Sequence, residues 1–101
     1  MKKVIVLLLS ANFYFTLTSA DQLFEDGKEI FLNQGNCSSC HTLIDAKSDG
    51  NIGPNLNQIM PTKDRVIAAV TRGIGVMPAY EGILTTEEID AVAHYVSVVA
   101  E

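Results

Sequence analysis

Apolar side chains recur every three or four positions in three segments of the chain, which is the spacing of one helix face. The segments are residues 21–33, a stretch that follows Thr62 and ends at Arg72, and a stretch that follows Thr85 and ends near Val99. Both threonines are placed to cap a helix N-terminus, and a glutamate three residues after Thr85 completes the pattern of a capping box. Because no segment alternates with a period of two, we expect an all-α fold.

The N-terminus has a different pattern. Lys2 and Lys3 precede an apolar run, which is followed by small residues up to Ala20. This order is typical of a secretory signal peptide. An uncleaved membrane anchor is the alternative, but polar residues interrupt the run and it is shorter than the ~20 residues that a spanning helix needs. We therefore expect a signal peptide over 1–20 and an exported domain over 21–101, with no membrane insertion after cleavage.

The mature domain is strongly acidic. The whole chain has 12 acidic and 7 basic residues, and removal of Lys2 and Lys3 leaves five basic ones, so the net charge changes from −5 to −7. This charge disfavours binding to nucleic acid and favours a partner with a basic docking surface. A domain this short buries a modest core and often depends on a disulfide, a metal or a cofactor.

Cys37, Cys40 and His41 form the sequence CSSCH, and no other cysteine is present. A redox dithiol would need a strand-helix-strand setting, which the pattern lacks. A structural zinc site needs four ligands, and only His94 remains as a fourth. The CxxCH spacing favours haem attachment, because it brings two sulfurs to one porphyrin edge and turns His41 under the iron. We therefore expect one covalently bound haem c.

Met77 is the candidate for the second axial ligand of the iron. It lies in a loop punctuated by glycines, which let backbone approach a flat ring, and Pro78 stiffens that loop. Thioether sulfur suits haem iron, although methionine also fills gaps in apolar cores. Met60 is expected to pack, and His94 falls on the polar face of the last helix. We therefore assign the iron ligands as His41 and Met77.

These residues resemble the class I c-type cytochromes over nearly all of the mature domain. The resemblance is carried by "CSSCH", "IGPNL" and "GIGVMPAYEGILTTEEIDAVAHYV". The last segment is most similar to the small photosynthetic donor cytochromes that replace plastocyanin, and to haem domains of some oxidases. The resemblance implies three to four helices wrapped around one haem. It also implies thioether links at Cys37 and Cys40, proximal His41 and distal Met77.

Two further contacts are implied by the resemblance. The backbone carbonyl of Pro54 accepts a hydrogen bond from the free ring nitrogen of His41, which raises the basicity of the ligand. The first and last helices cross at a small residue and an aromatic, which Gly27 and Tyr95 match together with Phe31. The sequence departs from the photosynthetic carriers at three points: Ile74 in place of a basic residue, the absence of tryptophan and an unmatched loop over 42–51.

The implied function is electron transfer outside the cytoplasm, with no substrate at the iron because protein fills both axial positions. The location is the periplasm, or the thylakoid lumen if the source is photosynthetic. The protein is then a monomeric shuttle or the haem subunit of a periplasmic dehydrogenase, and a sensor with an exchangeable ligand is a third hypothesis.

We expect an apolar patch around the haem edge, ringed by Glu81, Glu87 and Asp90. Three cations could meet the haem propionates or be ordinary surface charges: Lys63, Arg65 and Arg72. The apolar wall of the haem site is expected from Ile52, Leu56, Val66, Ile67, Val70, Ile74, Val76, Ile89, Val92 and Val96.

Overall fold

A computed structural model describes residues 18–101, so most of the expected signal peptide lies outside the described residues. The described part contains four helices, and the all-α class is confirmed. They are α1 (Ser19–Leu32), α2 (Leu56–Ile59), α3 (Lys63–Arg72) and α4 (Thr86–Val99). A 3₁₀ turn covers Cys37–Ser39, and two short strands are β1 (Thr42–Leu43) and β2 (Ser48–Asp49). None of the helices within 18–101 has the length and apolar character needed to cross a membrane.

Side-chain caps define where the three long helices begin. Thr18 accepts a hydrogen bond from the Asp21 amide at 3.2 Å, so α1 starts two residues earlier than the apolar pattern predicts. The cleavage expected after Ala20 falls within the first turn of this helix. The side chain of Thr62 caps α3 as predicted. At α4 both bonds of the predicted capping box are present, between Thr85 and Glu88.

The core centres on the crossing of α1 and α4. Gly27 permits the close approach, because a Cβ there would overlap the Ala91 carbonyl oxygen and lie 2.7 Å from the Tyr95 Cβ. The Tyr95 ring is fully buried and lies 5.1 Å from the ring of Phe24 and 5.9 Å from that of Phe31. The crossing of α1 and α4 that the resemblance implies is therefore present. The opposite side of α4 faces α3.

The loop over 42–51, which the resemblance does not match, contains regular structure. It forms an antiparallel hairpin in which Thr42 pairs with Asp49 and Leu43 with Ser48. Two residues per strand are too few to show a period of two in the sequence, which explains why no strand was predicted. Helix α2 was also not predicted, because its single turn follows a proline and is held by the Asn55 side chain.

Candidate functional site

A cavity of about 860 Å³ opens between α3, α4, the CSSCH segment and the loop that follows α3. All five predicted site residues lie on its wall: Cys37, Cys40, His41, Pro54 and Met77. Its volume is within the range of ~300–1,000 Å³ that is usual for small-molecule and cofactor sites. Most of the remaining wall is aliphatic or aromatic, so the cavity is suited to a large apolar group with a few polar attachments.

A tight backbone turn presents the CSSCH side chains to the cavity. Asn36 enters the turn in the left-handed conformation, with φ of 49°. The amides of Cys40 and His41 then both donate to the Cys37 carbonyl, at 3.1 and 3.0 Å. This winding brings the two sulfurs and the imidazole to one wall, where all three residues are half-buried.

The His41 ring is fixed on two sides by the "IGPNL" segment. Its Nδ1 lies 2.7 Å from the Pro54 carbonyl oxygen. A carbonyl can only accept, so Nδ1–H is the donor and Nε2 keeps its lone pair for a metal. Gly53 lies against the ring, because a Cβ at this position would overlap Cε1 and lie 2.8 Å from Nδ1. The glycine and the proline carbonyl together set the orientation and the tautomer of the imidazole.

Met77 is presented by a closed loop after α3. The Ile74 amide donates to the Met77 carbonyl at 3.2 Å, and the Met77 amide donates to the Ile74 carbonyl at 2.9 Å. Gly73 has φ of 73°, and a Cβ there would lie 2.6 Å from the Met77 carbonyl oxygen. The competing side chains lie elsewhere: Met60 is 60% exposed, and neither it nor His94 lines the cavity. The packing role expected for Met60 was therefore wrong.

The environment of the cysteines disfavours the two alternative sites. Burial raises the pKa of the Cys37 thiol to about 11, against a smaller opposing effect of a backbone hydrogen bond. Dithiol redox centres need a lowered thiol pKa, so the buried Cys37 thiol is poorly suited to that chemistry. Across residues 18–101, His, Cys, Asp and Glu side chains form no cluster of three or more that could hold a metal ion. Zinc therefore has no complete ligand set there.

Several wall residues differ from those expected. Ile67 and Ile89 pack into the core instead of lining the cavity. The sequence interpretation missed Tyr80, whose hydroxyl donates to the Gly35 carbonyl. Burial raises the pKa of this phenol, and both nearby cysteines raise it further. Its position three residues after Met77 was the available signal. Phe31, another missed wall residue, had been assigned only to the helix crossing.

The charges around the cavity also differ from the expected acidic ring. Arg65 and Arg72 line the wall, and no carboxylate of the described residues does. Their spacing of seven residues puts both on one face of α3, a signal that the sequence contained. Lys63 instead pairs with Asp90 at 2.9 Å. Glu87 lies in a separate groove between α1 and α4.

The chain is similar to a known protein family, to known proteins and to a solved structure. The family described as "Cytochrome C oxidase, cbb3-type, subunit III" matches residues 22–96. Cytochrome c6 of Microcystis aeruginosa is 40% identical over 82 residues, covering 75% of this chain and 96% of that protein. Cytochrome c6 of Nostoc sp. is 37% identical over 106 aligned positions, covering 95% and 92%. The crystal structure of the c-type cytochrome SorU from Sinorhizobium meliloti matches with a TM-score of 0.75 and 54% identity, covering 78% of this chain and 92% of that one.

Proposed function

The chain belongs to the class I c-type cytochromes and carries haem c as an electron carrier, and from this premise we propose how it does so. Cys37 and Cys40 would hold the porphyrin through thioether links. His41 through Nε2 and Met77 through its sulfur would hold the haem iron. The observation that carries the proposal is the convergence of these four side chains on one apolar cavity.

The residues of the cavity fit this cofactor. The aliphatic wall would face the flat ring, and Arg65 and Arg72 supply positive charge for its carboxylates. When bound, the haem iron supplies one-electron chemistry. Pro54 holds the proton on His41 Nδ1, and the apolar wall limits the access of water. If both His41 and Met77 hold the iron, no position would be left there for a substrate, and electron transfer is the function that fits this ligand set.

The attachment can be tested on protein made in a host that attaches haem c. We expect the colour to survive acid-acetone extraction and the peptide over 36–42 to carry the mass of haem. Cys37→Ala and Cys40→Ala should each leave at most one link and lower the yield of holoprotein. Complete extraction of the colour from the parent protein would exclude covalent attachment.

The location and partners follow from the sequence of the N-terminus and from the charge. We propose export to the periplasm through residues 1–20, or to the thylakoid lumen in a photosynthetic source. The net charge of −7 over 21–101 favours redox partners with a basic docking surface. Exposed Ile74 and Val76 at the cavity mouth offer the apolar contact.

Size-exclusion chromatography of native protein separates a free monomer from the haem subunit of a dehydrogenase, which would elute as a stable heteromer.

A further inference from the structure

The hairpin that follows His41 lies outside the motifs that identify the haem site. It begins at Thr42, the residue next to the proximal ligand, and returns to the cavity wall at Ile52. Leu43 on β1 is fully buried, so the hairpin is part of the packed core. A displacement of this hairpin therefore acts on the chain on both sides of the His41 ring.

Asp45, at the tip of the hairpin, contacts both α1 and α4. Its carboxylate accepts a hydrogen bond from the Tyr95 hydroxyl of α4 at 2.6 Å and pairs with Lys28 of α1 at 3.3 Å. The Tyr95 ring cannot move freely, because it is fully buried and packs on Phe24 and Phe31. A hydrogen bond to a charged carboxylate is shorter and stronger than one between neutral groups. The tip therefore has a fixed position relative to the helix crossing.

The base of the hairpin contacts the haem attachment segment. A Cβ on Gly50 would lie only 2.6 Å from the Cys40 carbonyl carbon and 2.7 Å from the His41 nitrogen. The Thr42 hydroxyl donates to the Gly50 carbonyl at 2.9 Å. The Gly53 amide then donates to the Cys40 carbonyl at 2.8 Å, one residue before the acceptor of the His41 proton. The segment over 50–54, which leaves the hairpin, thus sets the position of the Pro54 carbonyl.

We propose that Tyr95 and Asp45 are positioning residues for the proximal ligand, acting through the hairpin on the bond between His41 and Pro54. The inference rests on the proposed function, since it takes His41 as the iron ligand. A strong hydrogen bond from Nδ1–H makes the imidazole more basic and favours ferric iron. Loss of the contact at the tip loosens the hairpin, weakens that bond and raises the reduction potential.

Tyr95→Phe tests this in the haem-loaded protein, because it removes the hydroxyl and keeps the ring packing. We expect an upward shift of the reduction potential in an equilibrium redox titration, with altered NMR shifts of the His41 ring protons. Asp45→Ala should give a shift of the same sign, and the double variant should add little to either, since the two side chains form one contact. Lys63→Gln is the matched control, because it breaks a surface ion pair of 2.9 Å elsewhere and should leave the potential unchanged.

The outcomes separate this inference from the proposed function. A parent protein with an intact His/Met spectrum, but with the same potential in Tyr95→Phe and Asp45→Ala, would show that the contact is only structural. A parent spectrum without histidine ligation would instead contradict the proposed function. Asp45→Asn, at an exposed position, covers the case in which Tyr95→Phe does not accumulate. It loses the ion pair but keeps an acceptor, so we expect a smaller upward shift, and an unchanged potential would again overturn the inference.

Discussion

At the scale of single residues, the site depends on backbone that holds each ligand in place. Met77 provides a direct test because its loop is closed by its own hydrogen bonds with Ile74 and does not require the side chain. We expect Met77→Ala to open a coordination position and to lower the reduction potential, since soft thioether sulfur favours ferrous iron. Carbon monoxide should then bind the reduced variant readily and the parent poorly. Met60→Ala is the matched control, and His94→Ala producing these changes instead would contradict the ligand assignment.

The contact between Tyr95 and Asp45 makes a second prediction, about pH. Burial raises the pKa of the Tyr95 phenol, and the Asp45 carboxylate and Glu25 raise it further. The hydrogen bond from Tyr95 lowers the pKa of Asp45 below 3.8, with help from Lys28. Because the pKa of Tyr95 is raised by folding, its contribution to stability is fully present below about pH 10. This contribution is lost as the pH rises through the pKa of Tyr95 in the folded protein. Because the pKa of Asp45 is lowered by folding, its contribution to stability is present above about pH 3.8. This contribution is lost as the pH falls through the pKa of Asp45 in the folded protein.

We therefore expect Tyr95→Phe to reduce the free energy of unfolding of the holoprotein by roughly 1 kcal/mol at neutral pH. The deficit relative to the parent should narrow above about pH 10, where the parent loses its own contribution. Denaturant titrations at a series of pH values measure both effects. A deficit that stays constant from neutral to strongly alkaline pH would mean that the hydroxyl contributes through packing alone.

At the scale of elements, the crossing of α1 and α4 depends on Gly27. Alanine would raise the helix propensity of this position by about 1 kcal/mol. The added Cβ, however, would overlap the Ala91 carbonyl oxygen, and backbone cannot rotate away as a side chain can. We expect Gly27→Ala to destabilise the holoprotein by about 1–3 kcal/mol, measured by denaturant unfolding. Gln22→Ala, on the exposed side of α1, should stay within about 0.5 kcal/mol of the parent, and equal stability of the two variants would contradict this account of the crossing.

The sequence predicted those elements whose signals are local. The four residues of the capping box, from Thr85 to Glu88, indicate the start of α4, and the five residues of CSSCH indicate the attachment chemistry. The hairpin could not be predicted in this way, because the Asp45 carboxylate meets Tyr95 across 50 positions of the chain.

Tyr80 was missed although it lies three residues after Met77. For Lys63, Arg65 and Arg72 the sequence left open whether they meet the haem propionates or are ordinary surface charges, and only the folded chain shows that the two arginines line the cavity.

At the scale of the whole molecule, charge is distributed unevenly. Asp26, Glu29, Glu87 and Glu88 line the groove between α1 and α4. The cavity mouth instead combines exposed apolar residues with Arg65 and Arg72. A partner approaching from a distance therefore meets a net negative molecule. A partner in contact with the mouth meets mainly the exposed apolar side chains, because the haem carboxylates would offset the charge of the two arginines. The long-range attraction depends on salt concentration and the apolar contact does not, so a salt series separates the two.

Encounter with the physiological partner provides the last prediction. A shuttle needs a small contact, below about 1,200 Å², so its association rate depends on steering more than on packing. With a basic partner, the net charge of −7 over 21–101 should make the second-order electron-transfer rate fall as salt rises, because screening shortens to about 8 Å at physiological ionic strength. Stopped-flow kinetics over a salt series measures this slope. Glu29→Gln should reduce the slope, and Arg72→Gln should steepen it, because the first removes and the second adds net negative charge. A second-order rate that is flat or climbs with salt would exclude attraction to a basic partner.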